Sequence, residues 1–408
     1  MGIYFLTKTL PMAAAMLLLL VACGPSTDEI NQIVDDRVAQ ALTAVPTPTS
    51  IPTPTATPTP TATPTPTAAP TPTATPTPAP TPTPDVIVMF QEVVASVVSR
   101  VGPAVVHIIP TTGTERGLFG SPTDAPSQGS GVIFSKQGHV LTTNSVVGDA
   151  TGVKVGLGNR KTVDAVVIGT DPQSDLAVLK LAPADIAGLA VATLGDTAAM
   201  LIGEWVIAIG NPLGYQGSVT VGIVSAKGHS RWVDQDSLYL HDLLLTDAVI
   251  NPGSGGGPLL NLAGEVIGIL TSITRGSVGN FQEAGYIAFA IGMGTAIPVS
   301  EQLIASGRVV RPRIGVHIID VNPVNAAELG LSVDEGVLVV ALIPDGPADR
   351  AGIEIDDVIV LTDDLPVSST SDLALGLLNG YKVGDTMHMT VVRSAATLSF
   401  EITLEELP

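Results

Sequence analysis

The chain has 408 residues, 45% of them hydrophobic, which is enough for two or three domains with proper cores. Its 18 Lys and Arg against 38 Asp and Glu leave a formal charge of −20, and this excludes nucleic acid as a partner, since phosphate binding needs concentrated positive charge. The single cysteine, Cys23, excludes an intramolecular disulfide and a thiol pair for a metal, and no pattern asks for a metal or another cofactor.

Residues 10–22 form an apolar run behind Lys8, too short for an ordinary spanning helix and placed like the core of a signal peptide over residues 1–22. The string LVAC ending at Cys23 resembles a bacterial lipobox, in which the new amino-terminal cysteine is lipidated. The expectation is a membrane anchor at Cys23 and an extracytoplasmic location. Acyl chains contribute about 0.8 kcal/mol per buried methylene, so multiple acylation makes a stable tether. Residues 23–45 then read as a lipidated segment leading into a short helix, with Ile30, Ile33, Val34, Val38, Ala41 and Leu42 near one face. Under three heptads, this serves as a solvated spacer or a weak assembly element.

From residue 46 to 85 the chain repeats PTPTAT, and proline both restricts the backbone and removes hydrogen-bond donors. A disordered polyproline II stalk is expected, with a reach on the order of 120 Å. Its composition also fits an inert linker, and its threonines fit O-glycosylation.

Phe90, Val93, Val94, Val97 and Val98 recur at helical spacing and Gly102-Pro103 stops the pattern, predicting a helix over 86–100. From 104 to 289 short β-rich runs follow one another, among them AVVHII, GHVLTT, LAVLKL, WVIAIG and GEVIGILTSI, separated by glycine and turn residues. Such spacing predicts a barrel or a sandwich. A helix opened by Pro298 in its first turn and closed by Gly307 comes next. The remainder alternates strands with two short helices near Ala348 and Leu373, an α+β pattern.

Four collinear strings carry more information: GSGVIFSKQGHVLTTNSVV, DPQSDLAVLKL, IGNPLGYQGSVTVGIVSA and TDAVINPGSGGGPLLNLAGEVIGI. Together they resemble the HtrA/DegP family of trypsin-like serine proteases from about Phe90 to the end of the chain. The resemblance implies a mainly β fold, a double β-barrel over residues 86–308 with its site in the cleft between barrels. It also implies a PDZ-like α+β domain over 309–408, on the strings RIGVHIIDV, GVLVVALIPDGPADRAGIEIDDVIVL and SDLALGLLNGYKVGDTMHMTVVR.

The resemblance assigns the triad to Ser145, where the family carries histidine, to Asp175, and to Gly255, where the family carries the nucleophilic serine. Ser254 stands beside that position as an alternative nucleophile. The mechanism needs a hydroxyl, an imidazole to take its proton, a carboxylate to orient the imidazole and two N–H donors for the oxyanion. Gly255 has no hydroxyl and Ser145 is no base at neutral pH. Loss of either group costs about 10⁶ in turnover in this mechanistic class. Asp175 becomes structural on this reading, with the Ser145 hydroxyl as a donor to it. The N–H groups of Gly253 and Gly255 still form an oxyanion turn able to hold a peptide carbonyl.

In the carboxyl domain Arg313, Ile314, Gly315 and Val316 fall where PDZ domains hold a peptide carboxylate and add the peptide to a sheet edge. Asp356-Asp357 and Asp363-Asp364 depart from the usual Gly-Asp and Asn-Gly, and added acid near the groove is expected to disfavour an anionic peptide end. Three functions remain: a tethered pseudoprotease that binds extended peptides or unfolded proteins without cleaving them, an active endopeptidase in protein quality control using Ser254, or a structural surface protein. The family resemblance further implies a homotrimer, to which Phe90 and the following valines would contribute.

Overall fold

The computed structural model describes residues 86–111, 128–150, 152–159, 161–211, 217–232, 239–271 and 288–406. The signal peptide, the anchor at Cys23, the first helix and the stalk expected above lie outside them.

Helix α1 (Val86–Val101) ends where Gly102–Ala104 tightens into a 3₁₀ turn around Pro103. Its spacing turns Val97 and Val101 into the core, while Ile87, Val88 and Met89 remain exposed. Strands β1 (Val105–Thr111), β2 (Gly129–Ile133), β3 (His139–Thr142), β4 (Gly152–Gly156), β5 (Thr162–Asp171) and β6 (Leu176–Leu181) follow, with the one-turn helix α2 (Asn144–Val147) after β3. They close in the order β1-β2-β3-β6-β5-β4. Closure removes sheet edges and lets nearly every residue of β2 and β6 be buried. Ile108, Ile133, Leu141, Leu176, Leu179 and Leu181 are fully buried on one face or the other of these strands, each contributing about 1.5–3 kcal/mol on burial.

The second sheet comprises β7 (Thr193–Leu194), β8 (Trp205–Gly210), β9 (Ser218–Trp232), β10 (Tyr239–Thr246), β11 (Pro258–Asn261), β12 (Glu265–Leu270) and β13 (Ala288–Gly292). Its order is β11-β8-β9-β10-β13-β12-β7, and an added β11–β12 pairing closes a second ring around Val206, Leu244 and Leu259. The double barrel expected from the sequence is therefore present.

Helix α3 (Met293–Ser306) starts five residues before Pro298, so the proline lies in the second turn and not, as expected, in the first. Two distant groups permit it. The Asp242 carboxylate accepts from Thr295 N–H at 2.9 Å and caps the first turn from β10. Pro298 lacks the N–H that would bond the Gly294 carbonyl, and that carbonyl accepts instead from Asn379 Nδ2 at 3.2 Å.

The carboxyl domain carries β14 (Pro312–Arg313), β15 (Val316–Val321), β16 (Gly336–Leu342), β17 (Val358–Thr362), β18 (Leu365–Pro366), β19 (Thr386–Arg393), β20 (Ala396–Thr403) and β21 (Glu405–Glu406). Its main sheet runs β15-β16-β17-β19-β20, so β15 is an edge strand. Of its helices, α4 (Pro323–Leu329), α5 (Pro347–Ala351) and α6 (Thr370–Gly380), only α5 and α6 were expected. The signal for α4 was Asn322-Pro323: Asn322 forms a capping box with Asn325, and proline occupies the first helical position.

Asp356, Asp363 and Asp364 all have positive φ, as the glycine or asparagine of related turns would. None of the four departing acids lines the cavity between β15 and α6, contrary to the expectation that they would lie near the groove. Asp357 is fully buried and accepts from Arg393 Nε at 2.6 Å and Nη2 at 2.8 Å. Asp363 accepts from Tyr381 Oη at 2.6 Å.

Two predictions follow from backbone and burial. The β19–β20 hairpin turns through Ser394 (φ 45°) and Ala395 (φ 71°), both left-handed. Ala395→Gly should raise the urea midpoint, with a gain on the order of 0.5–1 kcal/mol, because glycine removes the Cβ penalty of a type I′ turn. Burial pushes Asp242 up to about 6, against the opposing hydrogen bonds from Thr295. A raised folded-state value stabilises the fold at low pH, and that contribution is lost as pH rises through about 6. Denaturation curves at pH 4 and pH 7 should therefore show wild type losing on the order of 2–3 kcal/mol relative to Asp242→Asn across that interval.

Candidate active site

The turn between β10 and β11 holds Gly253, Ser254 and Gly255 between the barrels. Ser254 N–H donates to Asn251 O at 2.9 Å and Gly257 N–H to Ser254 O at 3.0 Å. Gly253 has φ 90° and Gly256 φ 83°. Among the described residues the N–H groups of Gly253 and Gly255 have no acceptor.

Ser130 of β2 holds this turn in place. Its N–H donates to Gly255 O at 2.8 Å and its hydroxyl to Gly253 O at 2.7 Å, while its Oγ accepts from Asn211 N–H at 2.7 Å. Thr142 Oγ1 in turn donates to Ser130 O at 2.7 Å. A Cβ on Gly256 would collide with Ser130 O, so that residue must be glycine for steric as well as conformational reasons.

Asp175 follows the 3₁₀ turn Pro172–Ser174, adopts a left-handed conformation at φ 53° and is buried. Its Oδ1 accepts from Ser145 N–H at 2.7 Å. Its Oδ2 accepts from Ser145 Oγ at 3.1 Å and from Thr271 Oγ1 at 2.9 Å. Burial pushes this carboxyl above its ordinary value, and the three donors pull it back. The structure thus brings Ser145 and Asp175 together, with Thr271 as a third member that local sequence did not single out. Ser254 stands apart from them: it is buried, and a Cβ on Gly210 would lie 2.6 Å from its Oγ, so its side chain packs on the end of β8.

His139 does not reach this site. Its Nδ1 is 2.8 Å from Ser135 Oγ and its Nε2 is 3.2 Å from Lys180 Nζ, at the far end of β3 from Asn144. Arg313, Ile314, Gly315 and Val316 line a cavity of about 350 Å³ between β15 and α6.

The carboxyl domain is fastened to the barrels beside Asp175. Arg311 donates through Nη1 and Nη2 to the Asp171 carboxylate at 2.8 and 2.5 Å. Ser371 Oγ accepts from Asp242 N–H at 2.8 Å.

Two antiparallel barrels with a glycine turn and a buried aspartate at their junction, followed by an edge-stranded α+β domain, define a trypsin-like protease fold joined to a PDZ domain. Family models agree: a trypsin-like peptidase domain matches residues 129–269 and a PDZ domain matches 312–404. A probable periplasmic serine endoprotease, DegP-like, of Ectopseudomonas mendocina is 43% identical over 289 residues, 71% of this chain and 58% of that relative. Its counterpart in Pseudomonas fulva is 41% identical over 300 residues, 74% of this chain and 60% of that relative. The chain therefore spans about three fifths of the length of these relatives.

Among solved structures, the HtrA-type protease AlgW with a tripeptide superposes with a TM-score of 0.61 at 34% identity, covering 77% of this chain and 97% of the other. A serine endoprotease from Yersinia pestis gives 0.53 at 32% identity, covering 77% and 98%. The chain belongs to the HtrA/DegP family.

Thr271→Val leaves Asp175 Oδ2 with one donor instead of two. Chemical denaturation should show a loss of about 1–3 kcal/mol at pH 7. The loss should shrink at pH 4, because Asp175 without that donor protonates more readily and a neutral carboxyl needs the bond less.

Proposed function

We propose that this chain is a tethered, extracytoplasmic pseudoprotease that binds extended peptides or unfolded proteins without cleaving them. The observation that carries the reading is the occupancy of Asp175: its carboxylate is taken up by Ser145 and Thr271, and among the described residues no imidazole donates to it. With glycine at 255 there is no hydroxyl for a base to activate. Ser254 offers one, but its side chain lies against Gly210.

Binding has separate support. The unpaired N–H groups of Gly253 and Gly255 suit a peptide carbonyl, and the free edge of β15 suits an added strand. The AlgW structures hold a decapeptide and a tripeptide. The names of the DegP-like relatives place those proteins in the periplasm, and the LVAC string supports a lipid anchor at Cys23 beneath the Pro/Thr stalk. Self-assembly, as the homotrimer implied by family resemblance, is supported by the apolar surface of α1. Ile87, Val88 and Met89 are exposed there, Phe90 contacts Trp205 at 4.9 Å, and Leu201 and Ile202 are exposed near Trp205 in the same chain segment.

A fluorophosphonate probe tests the reading. Wild type should remain unlabelled and leave casein intact, whereas Ser145→His combined with Gly255→Ser should label at residue 255 and cleave. Stoichiometric labelling of Ser254 in wild type would sink the proposal.

A further inference from the structure

At the far end of β3 from Asn144 the first barrel carries a second cavity, of about 410 Å³, apart from the cleft and from the groove between β15 and α6. Its walls are the turn after β2, with Ser135 and Lys136, and the segment after β6, with Ile186, Leu189 and Val191. Backbone bonds fix both walls. Gly138 N–H donates to Ser135 O at 3.0 Å within the turn, and Ala192 N–H donates to Ile133 O at 2.9 Å, seating the segment on β2. A Cβ on Gly138 would lie 2.4 Å from Ile186 Cγ2, so the walls meet where only glycine fits.

A relay of three side chains ends at this cavity. Lys180 of β6 pairs across the sheet with His139 of β3, and its Nζ is 3.2 Å from His139 Nε2. An ammonium only donates, so Nε2 accepts and the proton of a neutral ring sits on Nδ1. Burial, and then the Lys180 charge, hold the His139 imidazole below its ordinary value, which keeps it neutral at pH 7. Nδ1–H therefore donates to Ser135 Oγ, 2.8 Å away, and that oxygen also accepts from His139 N–H at 3.2 Å. Both acceptor places on the hydroxyl are then filled. Its own proton has no acceptor among the described residues, and Ser135 lines the cavity. The bonds of the relay all run toward the cavity, and the cation at its head polarises each in turn.

The charge nearby has the matching sign. Lys136 lines the cavity, and neither it nor Lys180 pairs with a carboxylate among the described residues. Asp185 stands one residue before Ile186 but is taken by Lys161. In a chain with a formal charge of −20, lysines without acid partners beside one cavity are a local exception. We propose that this cavity binds a small aliphatic carboxylate, its acid group accepting from Ser135 Oγ beside Lys136 and its alkyl chain lying on Ile186, Leu189 and Val191. The apolar wall favours such an acid over a bare inorganic anion, because each buried methylene adds to affinity. The cavity lies outside both the cleft and the β15–α6 groove, so the proposal stands apart from peptide binding.

Isothermal titration calorimetry with the full chain tests this, using butanoate, hexanoate, octanoate, octanol and octylamine at submicellar concentrations. Affinity should rise about threefold per added methylene along the three acids. Octanoate should bind about tenfold tighter than octanol, and octylamine should not bind. Ser135→Ala and Lys180→Met should each weaken octanoate about tenfold, the effect of losing a hydrogen bond to a charged group or the cation that orients it. Lys180→Met leaves the bonds within the turn intact, so the test survives if Ser135→Ala disturbs the fold. Octylamine binding as tightly as octanoate, or octanoate affinity unchanged by Lys180→Met and by a folded Ser135→Ala, overturns the proposal, as does failure of octanoate to bind. Tighter binding by a capped Leu-Glu-Leu tripeptide overturns it in favour of a peptide contact.

Discussion

Buried Ser130 is the point through which the cleft is assembled. It sits on β2 of the first barrel, yet three of its hydrogen bonds reach Gly253 and Gly255 of the turn and Asn211 at the end of β8 in the second sheet. Each bond replaces one that the backbone would otherwise make to water, and losing any of them would strand a polar group in the interior. The turn is therefore held by the two-barrel scaffold rather than by the residue it displays.

The same separation of scaffold from chemistry governs Asp175. A buried carboxylate needs donors whatever its history, and Ser145 and Thr271 supply three bonds from two different barrels. With those bonds the aspartate cross-links the cleft. Without an imidazole it has nothing to orient. Ser145 acts here as a structural partner, donating to that carboxylate through both its N–H and its hydroxyl.

Between this cleft and the peptide groove runs a short covalent and ionic path. Asp171 pairs with Arg311 at the domain junction, and Pro172–Ser174 leads directly to Asp175. A part-buried bidentate pair is geometrically demanding, and breaking one partner would leave an uncompensated charge. Asp242 makes a second junction, capping α3 with its carboxylate and holding Ser371 with its N–H. Groove and cleft are thus walls of one body, and Gln173 and Ser174 line the groove while belonging to the aspartate loop.

What the sequence determined alone was whatever depends on neighbours along the chain. Runs such as LAVLKL and WVIAIG became strands because apolar residues in succession fit a closed barrel, and Gly102-Pro103 and Gly307 ended helices through their own backbone preferences. The chemical poverty of positions 145 and 255 was legible for the same reason, since a side chain carries its chemistry wherever it is placed. Tertiary structure decided everything that depends on residues meeting across distance. The start of α3 was set by Asp242 and Asn379, far from Pro298 in sequence. Thr271 and Ser130 looked like ordinary strand residues, and Thr370 like a helix start, until folding left the first two bonded at the cleft and the third with its buried hydroxyl unpaired among the described residues. A one-dimensional pattern records which groups exist; burial records which of them must find a partner, and only the fold settles where that partner is.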